Sequence, residues 1–402
     1  MNILIQKFGG TSVSSNSRRK QVVSKVKKAL ADGFKPVVVV SAMGRKGAPY
    51  ATDTLLSLVD DNFKADYRQA VDLLLCCGEF ISTVVMCNEL NNAGIKSVPL
   101  TGGQAGIITD DNFSSASLKD VDNKKILEIL AEGKVPVVTG FQGITEDGFF
   151  TTLGRGGSDT SAAILGVALE AEKIEIYTDV DGIMTADPRI VKDASLINVL
   201  SYDEVFQLAD QGAKVIHPNA VEIAKAGNIP LVIKNTMNDC EGTIINSMGD
   251  KTNKRPVTSI TSHNDRIQVC IGLDANKENK YYNDILEIVA ENNISLDLIN
   301  IFPDKQIFTI ESSSKELMES ILDKYNINAE LTENLSKVAL VGAGMKGIPG
   351  VMAKIYKALS DNEVKVLQTA DSHMTIWCLI NTENLDKAIN ALHKAFYLYY
   401  SY

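Results

Sequence analysis

The sequence predicts an α/β protein: a three-layer domain with a mostly parallel central sheet, followed by two small βαββαβ units. Two observations predict this architecture. Over the first 250 residues, short apolar segments of strand composition alternate with helical segments, and the last third of the chain contains an internal repeat. Because 402 residues exceed the usual size of one domain, we place the domains at residues 1–250, 263–334 and 336–402, with the first boundary in the polar stretch 246–255.

The composition argues against several classes of function. The net charge is −10 and the longest basic run is Arg18-Arg19-Lys20, so a cationic surface for nucleic acid is not expected. No apolar run approaches the roughly 20 residues of a membrane span, and residues 1–10 lack the pattern of a signal peptide. The six cysteines form no C-x-x-C pair and the four histidines no H-x-x-x-H pair, which predicts a cytosolic protein with reduced thiols and no protein-held zinc.

The chain opens with a strand, a glycine turn and a helix. The strand starts at residues 3–5 and ends in Lys7-Phe8-Gly9-Gly10, and the helix is predicted over about 17–31. Lys7 therefore stands at the carboxyl end of a strand, where open α/β sheets bind ligands. The valine run 37–40 predicts a strand covered on both faces, followed by Ser41-Ala42-Met43-Gly44 and an exposed loop over 45–50.

The next elements are two helices and four strands. The helices are predicted over about 66–77 and 80–91, with Gly78-Glu79 between them. Glu79 is either a solvated residue at a helix end or a ligand for an ammonium group. The strands are predicted at 98–100, 135–139, 173–177 and 231–233.

A second glycine turn, at Gly154–Asp159, stands between a strand and a helix. Ser158 or Asp159 is expected to cap the helix. The first amides of a helix and the planar guanidinium of Arg155 suit an anion, although Gly-Gly-Ser-Asp is also a common turn with a cap. Asp159 would repel an anion unless it orients a lysine or lies near a metal, which indicates a site that handles two anions.

The C-terminal third repeats itself after 70 positions without gaps. Residues 269–272 fall on 339–342, Ile285 falls on Ile355, and Leu322 falls on Leu392. Each unit has the order strand, helix, strand, strand, helix, strand of a ferredoxin-like domain. Chance matching of apolar periodicity is the alternative, but ungapped coincidences in the same order of elements argue against it.

The candidate chemistry is phosphoryl transfer. Neither a Walker A pattern nor a G-x-G-x-x-G turn follows the first strand. Lys7, Arg155 and Lys214 instead form a cationic set near glycine turns, which could hold two anions together.

Eight motifs now carry a resemblance. They are Lys7-Phe8-Gly9-Gly10-Thr11-Ser12-Val13, Ser41-Ala42-Met43-Gly44, Thr52-Asp53, Gly78-Glu79, Gly154–Asp159, Thr178-Asp179-Val180-Asp181-Gly182, Asp187-Pro188-Arg189 and Gly212-Ala213-Lys214-Val215-Ile216-His217-Pro218. In this order they resemble the aspartate kinases (aspartokinases), members of the amino acid kinase superfamily with two C-terminal ACT domains. The resemblance covers the whole chain and points to a monofunctional enzyme.

The resemblance implies ATP-dependent phosphorylation of the side-chain carboxylate of L-aspartate to 4-phospho-L-aspartate, the first step towards lysine, threonine, methionine and diaminopimelate. Mg²⁺ would bridge the phosphates, held largely by nucleotide and water and not by a protein metal site. A cytoplasmic homodimer or dimer of dimers through the ACT units is expected, without nucleic acid or membrane partners. The alternatives are a glutamate, acetylglutamate or uridylate kinase, or an amino-acid-binding regulatory protein with an inactive kinase domain.

The resemblance also implies roles for individual residues. Lys7 and Asp159 would be catalytic, with Asp159 orienting Lys7. The residues on the ATP side would be Lys7, Phe8, Gly9, Gly10, Ser41, Ser158, Thr178, Asp179, Ile183, Asp187, Arg189, Lys214 and Val215. Arg155 would pair with an aspartate carboxylate and Glu79 with the ammonium, in an aspartate site formed by Thr52, Glu79, Phe141, Arg155, Gly156, Gly157 and Ser158.

An end product is expected to inhibit at the ACT units, with lysine favoured and threonine possible. Asp297 is out of step with the apolar positions Ile294, Leu296 and Leu298, so it should face away from the core of its unit. It is either a solvated strand residue or a contact for a cationic effector. The implied effector residues are Ala275, Glu278, Tyr282, Asp297 and Asn300.

Overall fold

The predicted α/β class is confirmed by the computed structural model, which describes residues 1–213, 215–252, 255–345 and 348–399. The chain divides into two units. The first contains Met1–Ile183, Leu196–Asp210 and the segment that ends at Thr252. The second contains Met184–Ser195, Gln211–Ala213 and the chain from Arg255 onward.

The first unit is built around an eight-stranded sheet. Its helices and strands are β1 Ile3–Phe8, α1 Gly10–Val13, α2 Asn16–Ala31, β2 Lys35–Val40, α3 Thr52–Leu56, α4 Asp61–Asp66, α5 Arg68–Asn92, β3 Ser97–Leu100, β4 Ile107–Thr109, β5 Leu118–Val121, α6 Lys124–Ala131, β6 Val135–Thr139, β7 Gln142–Ile144, β8 Phe150–Thr152, α7 Gly157–Ala168, β9 Lys173–Thr178, β10 Val199–Ser201, α8 Tyr202–Asp210, α9 Pro218–Ala226, β11 Leu231–Asn235 and β12 Thr243–Asn246. The sheet order is β10-β12-β11-β9-β1-β2-β6-β3, and only the β11–β12 pair is antiparallel.

Helices cover both faces of this sheet, as the continuous apolar strands predict. Val38 and Val40 pack with α2 and α5 on one face. On the other face α7 lies close to the strands, because a Cβ on Gly166 would be 2.5 Å from Ile174 Cδ1 and 3.6 Å from Ile5 Cγ1. All four valines of β2 from residue 37 to 40 are fully buried, so the strand prediction from the valine run is confirmed.

A second, four-stranded sheet was not predicted from the sequence. Its order is β5-β4-β7-β8, with β4–β5 and β7–β8 antiparallel. The β7–β8 hairpin lies between β6 and α7, where the sequence suggested only a glycine turn. Its strands have three residues each, and segments this short give no clear alternation of apolar and polar residues.

The prediction of two helices around Gly78-Glu79 was wrong. The structure has one 25-residue helix, α5, through this region. Gly78 serves close packing and not a turn, because a Cβ there would be 2.8 Å from the Tyr50 carbonyl oxygen and 2.9 Å from Ala42 Cβ. Glu79 therefore lies in the middle of a helix.

Helix α5 is also the one helix of the described chain that is long and apolar enough to cross a bilayer by length and composition. Within its apolar window 56% is buried inside the protein. Two carboxylates in it, Asp72 and Glu79, are buried and accept hydrogen bonds from other elements of the first unit. Packing against the β2–β6 region accounts for part of its apolar composition, whereas Leu73, Ile81 and Val84 of the same helix are exposed.

The second unit contains a six-stranded antiparallel sheet with the order β14-β15-β13-β16-β18-β17. Its elements are β13 Ser259–Gly272, α10 Ile285–Glu291, β14 Asp297–Ile301, β15 Lys305–Glu311, α11 Lys315–Lys324, β16 Glu330–Val341, α12 Val351–Ser360, β17 Gln368–Asp371, β18 Thr375–Asn381 and α13 Leu385–Ala395. One apolar core lies under α10 and α11 and another under α12 and α13, so the repeat corresponds to two ferredoxin-like halves.

The two halves share their longest strands, which corrects the predicted element order of the second repeat. No strand follows α13 in the described chain up to Tyr399. The missing position is taken by the start of β13, where Ser259 to His263 pair with Val341 to Lys337 of β16. The rest of β13 pairs with β15 and belongs to the first half.

Candidate active site

Lys7 and Asp159 meet at the carboxyl end of the central sheet. Lys7 lies near the end of β1, and its Nζ atom is 2.6 Å from Oδ1 of Asp159 in the first turn of α7. The two side chains are 11% and 12% exposed. At Gly10, beside them, a Cβ would be 2.5 Å from the Ala42 carbonyl oxygen, so only glycine lets the two strand ends approach this closely.

The prediction that Ser158 or Asp159 caps α7 was wrong. The helix begins at Gly157, and its N-cap is Gly156 in the left-handed conformation with φ of 68°. A Cβ at Gly156 would be 2.2 Å from Cγ of His217, so close packing fixes glycine there. The Asp159 carboxylate turns to Lys7 and accepts a weak hydrogen bond of 3.4 Å from the His217 N–H.

Glu79 presents half of its carboxylate without a partner. The side chain is 2% exposed, and its Oε1 atom accepts a hydrogen bond of 3.0 Å from the Ala42 N–H. Its Oε2 atom is buried and has no partner among the described residues. Burial raises the pKa of Glu79 to about 8, against the opposing effect of hydrogen bonds from the backbone of Ala42 and of Glu79 itself. The solvated helix-end interpretation is therefore wrong, and an ammonium group would satisfy the free oxygen.

These groups line one cleft of about 480 Å³. The predicted site residues in its wall are Lys7, Gly10, Ser41, Thr52, Glu79, Phe141, Arg155, Gly156, Gly157, Ser158 and Asp159. Arg155 is exposed to it, and its guanidinium forms no ion pair within the described part of the chain. The cleft thus combines a free carboxylate oxygen, a free guanidinium and a lysine–aspartate pair, a set that complements an amino acid and a phosphate.

Sequence comparison places the chain among known proteins. The model of the amino acid kinase family matches residues 2–235, and an ACT domain model matches residues 330–394. Aspartokinase 1 of Bacillus subtilis (strain 168) is 44% identical over 403 residues, which cover 99% of this chain and all of that protein. The chain belongs to the aspartokinases.

Structural comparison agrees. The chain resembles E. coli aspartokinase III in complex with aspartate and ADP, with a TM-score of 0.77, 23% identity and coverage of 98% of this chain and 100% of the other. The complex of the same enzyme with lysine and aspartate gives a TM-score of 0.78 at 24% identity, covering 99% and 100%. As an aspartokinase the chain is a phosphotransferase that phosphorylates aspartate with a nucleotide substrate, and its ACT domain indicates allosteric regulation. The predicted family and enzyme class are confirmed, which removes the other kinases as alternatives.

Several residues expected on the ATP side of an aspartokinase lie outside the cleft wall. Asp179, just after β9, pairs with the exposed Arg45 at 2.7 Å, and Thr178 accepts a backbone hydrogen bond from Thr236. Phe8 is fully buried and stacks on Tyr177. Because its ring belongs to the core, only its backbone is available to a ligand.

Three further positions were expected on the ATP side, and two of them, Ile183 and Val215, are among the described residues. Ile183 is 3% exposed, and its N–H donates to Oγ1 of Thr243 at 2.8 Å, so its side chain also belongs to the core. Val215 is partly buried, and Lys214 lies outside the described residues.

Asp187 and Arg189 belong to the second unit. They form a bidentate ion pair with Nε–Oδ1 of 3.0 Å and Nη2–Oδ2 of 2.6 Å. The hydrogen bonds from Arg189 hold the pKa of Asp187 below its usual value. Arg189 is 88% exposed, so its guanidinium is accessible from solvent.

Two of the five residues expected at the effector site, Asp297 and Asn300, are already engaged by their own chain. Asp297 pairs with Lys337, whose side chain is only 4% exposed. Burial acts to raise the pKa of Asp297, but the Lys337 ammonium and the Leu298 N–H outweigh it and hold that pKa below its usual value. Asn300 accepts a hydrogen bond of 2.6 Å from Nε2 of Gln368. The solvated-strand interpretation of Asp297 is therefore wrong, because a buried lysine holds it.

The other three effector positions differ in exposure. Ala275 and Glu278 are exposed, whereas Tyr282 is 8% exposed and packs in the core under α10 and α11.

Sequence reasoning gave no individual role to six residues of the cleft wall, namely Ala42, Gly44 and Gly154, which lie in motifs named above, and Leu75, Ser114 and Thr152. It also missed Asp72, which is fully buried and bonded to two of them. The available signal was a single carboxylate within the apolar run Val71-Asp72-Leu73-Leu74-Leu75, since buried acids seldom occur without a specific partner.

Proposed function

We propose that this aspartokinase transfers the γ-phosphoryl group of ATP to the side-chain carboxylate of L-aspartate and gives 4-phospho-L-aspartate. The observation that carries the proposal is a pair of groups at one cleft: Oε2 of Glu79, which is buried without a partner among the described residues, and the exposed guanidinium of Arg155. Glu79 would bind the ammonium of aspartate and Arg155 a carboxylate, which leaves the reacting carboxylate free.

The remaining cleft residues fit the transfer step. A carboxylate oxygen of aspartate attacks the γ-phosphorus, the bond to the β–γ bridging oxygen breaks, and ADP leaves. Both reactants are anionic, so the step requires positioning and charge neutralisation. We assign Lys7 to the transferring phosphoryl group and Asp159, at 2.6 Å, to holding its ammonium in place. Thr52, Phe141, Gly156, Gly157 and Ser158 complete the aspartate side.

ATP would bind with Mg²⁺. The described residues contain no group of three or more histidine, cysteine, aspartate or glutamate side chains placed to hold a metal. Mg²⁺ commonly keeps several waters and binds through substrate phosphates, so nucleotide and water would supply most of its ligands. We assign the ATP side to Lys7, Phe8, Gly9, Gly10, Ser41, Ser158, Thr178, Asp179, Ile183, Asp187, Arg189, Lys214 and Val215.

The rest of the proposal concerns regulation. Residues 1–250 would form the catalytic domain, and residues 263–334 and 336–402 two ACT domains. An end product would inhibit there, with lysine favoured and threonine possible, at Ala275, Glu278, Tyr282, Asp297 and Asn300. E. coli aspartokinase III, which shares the fold, has been solved with lysine. The enzyme would serve lysine, threonine, methionine and diaminopimelate synthesis in the cytoplasm, as a homodimer or dimer of dimers.

The test is coupled ADP release with L-aspartate, L-glutamate, N-acetylglutamate and UMP as acceptors, each with and without lysine or threonine. We expect ADP release with L-aspartate and with none of the other three acceptors, and we expect lysine to reduce that release. Equal release with glutamate would contradict the assigned acceptor. Release that neither lysine nor threonine changes would contradict the regulatory part only.

A further inference from the structure

Asp72 is a buried carboxylate without a cationic partner in the described chain. It lies on α5 two turns before Glu79 and is fully buried. All its bonds come from two segments that line the cleft: the Ser114 N–H donates to Oδ1 at 3.1 Å and to Oδ2 at 2.9 Å, and Thr152 donates its N–H to Oδ2 at 2.8 Å and its hydroxyl to Oδ1 at 2.9 Å. Burial raises the pKa of Asp72 in spite of these four bonds.

The two segments that Asp72 joins are placed unusually. Ser114 has φ of 73°, a left-handed conformation that a non-glycine residue adopts only when its surroundings hold it. Thr152 ends β8, and Arg155 follows it by three residues. A Cβ on Gly154 would lie 3.4 Å from Oγ of Ser115, and the Ala116 N–H donates to the Thr152 carbonyl at 2.8 Å. The segment from Ser114 to Ala116 thus packs against the backbone from Thr152 to Gly154, which leads to Arg155.

We propose that Asp72 is a positioning residue for the acceptor side of the cleft: by joining the Ser114 turn to Thr152 it fixes the backbone from which Arg155 reaches aspartate. This rests on the proposed role of Arg155. Asp72 and Glu79 then have different roles on one face of α5. Glu79 presents an unpaired oxygen to the cleft, whereas both oxygens of Asp72 accept hydrogen bonds from the cleft wall. A charge-assisted hydrogen bond depends on its distance and angle, so a displaced guanidinium binds a carboxylate less tightly.

The test uses a matched set of threonine variants in the full-length enzyme. Thr152→Val removes only the hydroxyl bond to Asp72, and Thr152→Ser keeps it. Thr151→Val makes the same change one residue earlier, where the hydroxyl contacts Thr109 at 2.7 Å and not Asp72. KM for aspartate, KM for ATP, kcat and melting temperature are measured for each.

We expect Thr152→Val to raise KM for aspartate roughly fivefold or more, with little change in KM for ATP. Thr152→Ser should restore KM for aspartate, and Thr151→Val should lower only the melting temperature. Equal aspartate KM values in Thr152→Val and the parent enzyme would overturn the proposal, as would equal rises in KM for both substrates. Arg155→Ala, measured beside them, separates the two ideas: if it leaves aspartate binding intact, the role of Arg155 is wrong whatever Thr152→Val does.

Discussion

Two carboxylates assigned to ammonium ligands, Glu79 in the cleft and Asp297 in the ACT region, are found in opposite states. Glu79 has a buried oxygen with no partner among the described residues, and its pKa is raised to about 8. Asp297 is held by Lys337, and its pKa is lowered. A ligand ammonium would complete the first site, whereas at the second it must replace an ammonium that is already there. In both cases the sequence signal was a carboxylate at an unexpected position. Whether that carboxylate is available to a ligand depends on its partner in the fold.

The same contrast applies to the ion pairs Lys7–Asp159 and Lys337–Asp297. Lys7–Asp159 lies in the cleft wall, whereas Lys337 is buried and also lies 5.9 Å from the Trp377 ring centroid. We therefore expect the first pair to act on a substrate and the second to act on the fold and its regulation.

The largest expected effect is on the chemical step. Lys7→Ala should lower kcat by about 10²–10³, as loss of one electrostatic donor to a transition state does, while Lys337→Met should leave kcat near that of the parent. Initial rates at saturating aspartate and ATP check this. A normal kcat with weakened ATP binding in Lys7→Ala would show that Lys7 only binds.

Next in size is substrate recognition. Arg155→Ala should raise KM for aspartate roughly 10- to 100-fold, because charge-assisted hydrogen bonds to the substrate are lost. Arg68→Ala, an exposed arginine at the start of α5, is the control and should behave like the parent. Unchanged aspartate kinetics in Arg155→Ala would remove Arg155 from the site.

The raised pKa of Glu79 gives a stability difference with a definite sign. The folded protein keeps the Glu79 proton at pH values where the unfolded chain has lost it, so this contribution to the free energy of unfolding falls as the pH rises from about 5 to about 8. Its slope is at most about 1.4 kcal/mol per pH unit. Glu79→Gln should remove it and gain stability relative to the parent from pH 5.5 to pH 7.5.

Asp297→Asn is the matched control for that measurement. A lowered pKa gives stability that is lost only as the pH falls below the ordinary range of a carboxyl. Its difference from the parent should therefore stay constant between pH 5.5 and 7.5 in guanidinium unfolding. A pH-dependent difference for Asp297→Asn, or a constant one for Glu79→Gln, would break the contrast between the two acids.

The smallest expected effect is regulatory. Asp297→Ala should shift lysine inhibition to higher concentration by about 1 kcal/mol of coupling, at the lower end of such values because Lys337 already competes for the carboxylate. Lys337→Met should shift inhibition the other way, and the uninhibited kcat should be retained in both. Identical lysine inhibition in all three proteins would place the effector elsewhere.

The sequence revealed the elements that depend on local pattern. The buried valines of β2 and the helix α2 follow directly from periodicity and composition, and the 70-residue repeat corresponds to two halves of one sheet. The pairing of Lys7 with Asp159 could be expected only from the family resemblance. The two residues are 152 positions apart, and no local pattern joins them.

The errors came from contacts between distant segments. A glycine within a helical pattern suggested a break at Gly78. Its actual role is close packing against Ala42 and Tyr50, which come from another part of the chain and could not be seen in the local sequence. Gly156 replaced the expected side-chain cap for the same reason, with His217 as the neighbour. Nothing near Asp297 in the sequence indicated that a lysine 40 positions later would hold it.

The exchange of strands between the ACT halves has a consequence for how this part of the enzyme unfolds. Strand β13 contributes Ser259 to one half and Gly272 to the other, and β16 likewise runs through both. Because β13 and β16 belong to both halves, unfolding of one half would remove strand pairing from the other. The two halves should therefore melt in a single cooperative transition. A cleavage between residues 334 and 336 would cut β16 in both halves at once and would release no independently folded piece.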